Sequence, residues 1–382
     1  MSRPRVRLVC IARDEAHNLP SLATAVRDKI DSWLIVVDPR TTDDTEAVAY
    51  KVFAGIPGRV VTSSLTEETF DFAAARNESF DLAREDNTHL LFLDVDSPIV
   101  GDLPAVLDEP TYWCHVTDGR VRWKMPLMVR SDVRCHWEYP AHEYLVFEDD
   151  TPAPMLDDVF VLRKGSGTNP ARIAWTIDKL TQHWDETGDS RAAFYLGNTF
   201  RDRFFDTDDE ADHASALDWY VKRAAIGGWP EEMFVTICRT AELYERIDPQ
   251  RALLVYMEAA GYRPERPEPW FKLARMSNAN GEHQAAFAFA EKGLGLPKCK
   301  DSLLVETWIE RWGLRFEGAV AGWWLGEKDK AYTVFEQMLQ RPDLTPPYRK
   351  VAEHNLRLRD KPKPANRSKG KKPRKPCRTN AA

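Results

Sequence analysis

The hydrophobic periodicity of the chain changes near residue 170, and that change limits the fold more than any other feature. Before it, short apolar runs alternate with helical patterns; after it, apolar residues recur at helical spacing. Four early runs read as strands: VRLVCIA from Val6, WLIVVD from Trp33, RVVTS from Arg59 and HLLFLDVD from His89. Helical patterns separate them, from about Asn18 to Lys29, after Thr42 and after Asp71. The second places Val48, Val52 and Phe53 on one face, with Gly55 as its stop. This alternation predicts right-handed βαβ units on a parallel sheet. After Asp96, TYWCHV, RVRWKMPLMV, EYLVF and DVFVLR follow without intervening helices, so the sheet is expected to become mixed.

From Pro170 to about Leu358 the pattern reads as helix throughout. Ile173, Ile177, Leu180 and Trp184 share one helix face. Further on, ASALDWY, RALLVYM, AAFAFAE and AYTVFEQ each open with a small residue followed by bulky ones. Aligning Ala216, Ala252, Ala286 and Ala331 gives separations of 36, 34 and 45 residues. The first two are close to the tetratricopeptide period of about 34 residues. Gly281 and Gly326 stand just ahead of two of these helices, as turn residues would.

The 382 residues carry a net charge of −7, unevenly distributed. Arg357 to Ala382 hold 11 Lys/Arg and one acid, whereas the first 356 residues hold 42 basic and 59 acidic side chains. The tail, rich in Lys, Arg and Pro, buries too little apolar surface to offset its ordering entropy and is expected to be disordered. It lacks interleaved aromatic residues for base stacking, so nucleic-acid contact beyond nonspecific phosphate attraction is not expected. Six scattered cysteines with no C-x-x-C pair argue against a disulfide framework or a zinc ribbon. MSRPRVRLVC leads into the first strand without a signal pattern, and no apolar run approaches the roughly 20 residues of a membrane span. A cytoplasmic location is the expectation.

Ligands of open α/β sheets bind outside the carboxyl ends of the strands. There the first strand offers Arg13, Asp14 and Glu15, the second Asp38 followed by PRTTDDT, and the fourth Asp94-Val95-Asp96. Acidic clusters at one sheet edge repel unless a cation or donors lie among them. Thr42 or Asp43 has a simpler reading as a helix cap. Two carboxylates one residue apart suit a hard divalent cation, Mg²⁺ or Mn²⁺, although D-x-D alone occurs by chance in many chains. No GxGxxG fingerprint follows the first strand, which argues against a nicotinamide enzyme.

The order CIARDEAHNLP, VVDPRTTDDT, FAAARNESFDLA, LLFLDVD and YPAHEYLV resembles family-2 glycosyltransferases of the GT-A fold, of the bacterial and phage type with a C-terminal helical-repeat region. The resemblance implies a GT-A domain, Rossmann-like with a mixed sheet, over residues 1–168. An all-α tetratricopeptide-like domain over 169–356 and a disordered basic tail over 357–382 would follow. It further implies a metal-dependent inverting hexosyltransferase that takes a sugar from a nucleotide-diphosphate donor, UDP-hexose favoured, to an acceptor that the helices would make a protein. Asp38 would accept a hydrogen bond from the base, Asp14 and Asp43 shape the nucleoside pocket, Arg76 reach the nucleotide and Asp94 approach ribose and metal. Asp96 and His142 would hold the Mn²⁺ or Mg²⁺, and Glu143 would be the general base. Arg76 also reads as a surface arginine, and His142-Glu143 as a turn pair after Pro140. Trp123 and Trp137 would line the acceptor side or simply fill the sheet core.

Two departures stand against the resemblance. Where the family has glycine two residues after the second-strand aspartate, this chain has Arg40 preceded by Pro39. The Q-x-x-R-W element of processive synthases is absent as well. The alternative function is a non-catalytic helical-repeat interaction protein that keeps only the GT-A fold.

Overall fold

A computed structural model describes residues 5–85, 88–163 and 169–359. The first region contains β1 (Arg5–Ala12), α1 (Leu19–Val26), β2 (Ser32–Val37), α2 (Thr45–Val52), β3 (Gly58–Thr62), α3 (Phe72–Ala83) and β4 (Thr88–Phe92). It continues with β5 (Ile99–Val100), β6 (Thr111–Thr117), β7 (Val121–Arg130), β8 (Cys135–Glu138), β9 (Tyr144–Phe147) and β10 (Met155–Leu162). The sheet order is β3-β2-β1-β4-β7-β6-β10-β5, and β8 and β9 form a separate antiparallel pair. Strands β3, β2, β1 and β4 are mutually parallel, while β7 runs antiparallel to β4. The mixed sheet is therefore observed as expected.

Residue alternation divides this sheet between two cores. Val6, Leu8, Cys10 and Ala12 of β1 pack with Leu19, Leu22 and Val26 of α1 and with Ala49 of α2. On the other face Val9, Leu34, Val36 and Phe92 meet Ala73, Phe80 and Ala83 of α3, with Trp137 and Leu145. Helices α1 and α2 thus cover one face and α3 the other. Trp137 belongs to the second core and Trp123 packs against the first, which is the core reading of both.

The second region is built from α4 (Pro170–Thr187), α5 (Ser190–Thr207), α6 (Glu210–Ile226), α7 (Pro230–Ile247), α8 (Pro249–Tyr262), α9 (Glu268–Ala279) and α10 (His283–Leu294). After β11 (Val305–Glu306) and a π-helical turn (Ile309–Gly313) come α11 (Leu314–Trp324), α12 (Lys328–Leu339) and α13 (Pro346–Arg359). Helices α5–α6, α7–α8, α9–α10 and α11–α12 pack as successive hairpins. Ala216, Ala252, Ala286 and Ala331 lie on the second helix of each, all deeply buried. A small residue there lets the paired helices approach closely. Gly197 does the same on α5, because a Cβ at that position would lie 2.5 Å from the Tyr220 ring. Gly281 and Gly326 adopt φ of +76° and +97° at the turns into α10 and α12. Asp189, Asp209 and Asp248 accept hydrogen bonds from the first-turn N–H groups of α5, α6 and α8 at 2.7, 2.8 and 3.0 Å.

The expectation of helix throughout is corrected between α10 and α11. There the chain leaves the helical array, and β11 pairs antiparallel with β7 through Val305↔Arg122 and Glu306↔Val121. This excursion explains why the last repeat interval is 45 rather than about 34 residues. It is held by buried charge. Arg266 donates to Glu268 at 2.7 and 3.0 Å, to Asp301 at 3.2 Å and to the Leu303 carbonyl at 3.1 Å. Glu231, in the first turn of α7, accepts from the N–H groups of Ser302 and Leu303 at 2.8 and 2.7 Å. Helix α13 continues to Arg359, into the stretch expected to be disordered, and the remainder of the basic tail lies outside the described residues. So does most of the linker KGSGTNP. No described helix is long and apolar enough to cross a membrane.

Removing one partner of a buried ion network leaves the others uncompensated, at a cost of about 3–5 kcal/mol. Arg266→Ala is therefore expected to lower the unfolding free energy by about that amount, because Glu268 and Asp301 remain buried. Urea denaturation followed by tryptophan fluorescence measures it, and a loss below about 1 kcal/mol would contradict the network's role.

Candidate functional site

The residues singled out in the sequence converge at the carboxyl edge of β1, β2 and β4, but most already have protein partners. Asp14, at φ +54°, accepts from Thr42 N at 2.7 Å, Thr42 Oγ1 at 3.1 Å and Asp43 N at 3.2 Å. Asp43 accepts in turn from Ala16 N and Thr45 N, each at 3.0 Å. The two carboxylates fasten the loop after β1 to the loop after β2. Hydrogen bonds from Thr42 hold the Asp14 carboxyl below its usual range.

Asp38 ends β2 and is closed by the residue that departs from the family pattern. The Arg40 N–H and Nε donate to Asp38 Oδ1 at 2.8 and 2.9 Å, and Arg40 Nη2 donates to Oδ2 at 2.6 Å. Both oxygens thus face an arginine two residues away, where the resemblance places a nucleotide base. The same Arg40 lies 5.1 Å from the Phe70 ring. Its guanidinium holds Asp38 below the usual carboxylate range, outweighing the opposing effect of burial.

Arg76 occupies the centre of the edge. From α3 its Nη2 donates to Asp94 Oδ1 at 2.7 Å and its Nε to Glu143 Oε1 at 2.5 Å, with the guanidinium 5.0 Å from the Trp137 ring. It is therefore not a surface arginine, and it ties three chain segments together. Burial pushes the Asp94 carboxyl up, but Arg76, aided by Arg163 and Arg172, outweighs it and keeps the group below its usual value. Glu15 moves the other way: burial raises it, and the charges of Asp96 and Asp94 add to the rise. The first and fourth strand-end clusters thus face each other as expected, while the second is neutralised separately by Arg40.

His142 and Asp96 each have a contact within the chain. The His142 ring stacks on Tyr195 of α5, with centroids 4.0 Å apart and planes 7° from parallel. Desolvation, then the positive charges of Arg163, Arg191, Arg172 and Arg239, push its pKa well below that of a free imidazole. Asp96 accepts from Ser97 Oγ at 2.8 Å. Among the described residues no group of three or more His, Cys, Asp or Glu side chains is placed to hold a metal ion. The sequence reading missed Arg163, Arg172, Arg191 and Arg239, which come from separate segments and share no spacing signal.

The Arg40 clamp has a signed pH dependence. The Asp38 pKa is depressed on folding from an unfolded value near 3.8, so its stabilisation is complete above that pH and is lost as pH falls through the folded value. Arg40→Ala should reduce stability by about 1 kcal/mol near pH 6. The gap to the wild-type protein should narrow once the pH drops below 3.8. Denaturant titrations across this range check it, and a gap that widened on acidification would show the wrong sign.

No family model matches the chain. A TPR repeat-containing protein of Synechococcus elongatus is 34% identical over 110 residues, which is 28% of this chain and 25% of that protein. The chain thus spans about a quarter of this relative's length. Among solved structures, a thermophilic TPR protein of Thermus thermophilus is similar with a TM-score of 0.35 and 16% identity over 49% of this chain and 92% of that one. MamA is similar with a TM-score of 0.33 and 15% identity, over 50% and 91% of the respective chains. The relative found by sequence is a helical-repeat protein, and this finding corrects the expectation of a nucleotide-sugar-dependent hexosyltransferase. The UDP, manganese and DxD assignments are withdrawn with it. What stands is coarser: a mixed-sheet α/β region joined to a tetratricopeptide-like helical region.

Proposed function

We propose that the chain is a non-catalytic interaction protein whose helical repeats receive a segment of a partner protein. In this reading the α/β domain is a GT-A-like fold used as a rigid platform. One observation carries the proposal. Val221 on α6 and Met257 on α8 are 60% and 53% exposed, at positions five residues beyond the aligned Ala216 and Ala252. Ile226 and Tyr262, ten residues beyond, are likewise exposed, as is Leu254. Apolar side chains are thus left in water at equivalent positions of neighbouring repeats. Exposed apolar surface of that kind fits the apolar face of an extended or helical protein segment.

The α/β domain supports the same reading from the other side. Asp38 is closed by Arg40, and Glu143 by Arg76, so two side chains that a transferase would use are engaged within the chain. The strand order places four parallel strands beside an antiparallel one, the arrangement that a GT-A-like platform would have.

The test uses immobilised full-length protein and a Leu254→Asp/Met257→Asp variant. Both positions are exposed, so the variant should melt like the wild-type protein, within about 0.5 kcal/mol. Partners captured by the wild-type protein should be lost from the variant at least tenfold. A partner retained equally by both would place the contact elsewhere. Release of nucleoside diphosphate from a nucleotide sugar by the wild-type protein, lost in Asp94→Asn, would overturn the non-catalytic reading.

A further inference from the structure

A cavity of about 530 Å³ lies at the joint between the two regions, and shares Trp137 with the surroundings of Arg76. Its walls come from the start of α3, the β8–β9 pair, α4 and the start of α5. Trp137, Tyr139 and Tyr144 supply aromatic surface, and Asp71, Glu138 and Asp189 supply three carboxylates. Among the described residues no Lys or Arg lines it.

We infer that this cavity binds an organic cation, the ammonium or guanidinium group of a lysine- or arginine-type side chain. Three carboxylates outnumber the one histidine, His183, among the lining groups, and with no Lys or Arg there they favour a positive charge and oppose an anion. Aromatic faces carry negative quadrupole density and attract the same ligand. The rings already show this preference, because the Arg191 guanidinium lies 4.6 Å from the Tyr144 ring and 5.5 Å from that of Tyr139. Arg191 is itself neutralised by Glu232 at 3.1 Å and is not a lining residue, so it does not fill the cavity.

One buried polar atom in these walls points to a missing partner. Trp137 is 6% exposed, yet its Nε1 makes no hydrogen bond, whereas the buried Tyr139 hydroxyl lies against the Asp189 carboxylate. Burial and the nearby Asp189 carboxylate push the Tyr139 hydroxyl's pKa up, so it stays a protonated donor. Buried donors are ordinarily satisfied. A ligand that carries amide carbonyls beside its cation supplies the acceptor, as a lysine or arginine within a peptide does. Asp71 and Asp189 are also helix caps, accepting from Ala74 N at 2.6 Å and Arg191 N at 2.7 Å. Capping alone explains their presence but not their convergence with three aromatic rings on one cavity. Glu138 is fixed by the Tyr144 hydroxyl, which donates to it at 3.0 Å.

This site does not involve the exposed apolar residues of α6 and α8, and its test uses small probes. It therefore stands or falls separately from the proposed partner segment. Isothermal titration of the full chain is carried out with N-acetyl-lysine methylamide, N-acetyl-arginine methylamide, the neutral N-acetyl-norleucine methylamide and 1,5-diaminopentane. At least one cationic derivative should bind tenfold or more tightly than the norleucine derivative. Asp71→Asn/Asp189→Asn retains capping side chains while removing two charges, and should weaken that binding at least tenfold with an unchanged melting curve. Tighter binding of the blocked amino acid than of the diamine assigns the site to a peptide side chain. The reverse order assigns it to a free amine, and either supports a cation site. Equal binding of the charged and norleucine derivatives, or undiminished binding by the folded double variant, overturns the inference. If the double variant does not fold, Tyr144→Leu gives the same reading: tenfold weaker cation binding supports the site and unchanged binding overturns it.

Discussion

The buried charges around Arg266 hold the structure together in a way that its two-part appearance conceals. Arg266 lies between α8 and α9 and Glu268 opens α9, while Asp301 and Leu303 belong to the segment that leaves the helices to place β11 against β7. An unpaired buried guanidinium is unstable, so the network fixes the route of that segment. The route in turn fixes where the helical array sits on the sheet. Thr307 Oγ1 donates to the Arg120 carbonyl at 3.1 Å, and Arg191 Nη2 to the His142 carbonyl at 3.1 Å, adding two further points of attachment. The helices are therefore part of the α/β domain's packing rather than a module on a tether. Cutting the chain near residue 167 would strip β11 from β7 and remove the helical partners of His142 and Tyr139.

Much of this was legible in the sequence where a side-chain period exists to be read. The alternating runs of β1, β2 and β4 and the alanines at 216, 252, 286 and 331 follow directly from pleat and helix geometry. Strands β5 and β11 have two residues each and β8 has four, too few to show a period, whereas β9 falls within the run EYLVF. The irregular 45-residue interval was visible, but sequence separation alone does not say whether an insertion is a loop or a strand. At the sheet edge, the closure of Asp38 by Arg40 is a contact between near neighbours and was partly foreshadowed by the missing glycine. The Arg76 bridge to Glu143 joins residues 67 positions apart and left no local trace.

The resemblance to glycosyltransferases and the repeat-protein relative describe different parts of the same economy of charge. Two of the three acidic clusters at the strand ends are answered by an arginine from within the chain, whereas Asp14 of the first is held by Thr42. Arg40 answers Asp38, and Arg76 answers Asp94 and Glu143. Internal pairing of this kind stabilises a platform and leaves fewer free acceptors for a ligand.

Arg191 separates two environments of opposite sign at the joint. On one side Arg163, Arg172 and Arg239 join it around His142 and disfavour any further proton there. On the other lies the cavity of Asp71, Glu138 and Asp189. Arg191 can stand between them because it is held from several directions at once: Glu232 carries its charge, Tyr195 accepts from it at 3.3 Å, and Asp189 caps its own backbone N–H. A single guanidinium so constrained stays beside the Tyr139 and Tyr144 rings without lining the cavity, so the three carboxylates there have no arginine among them.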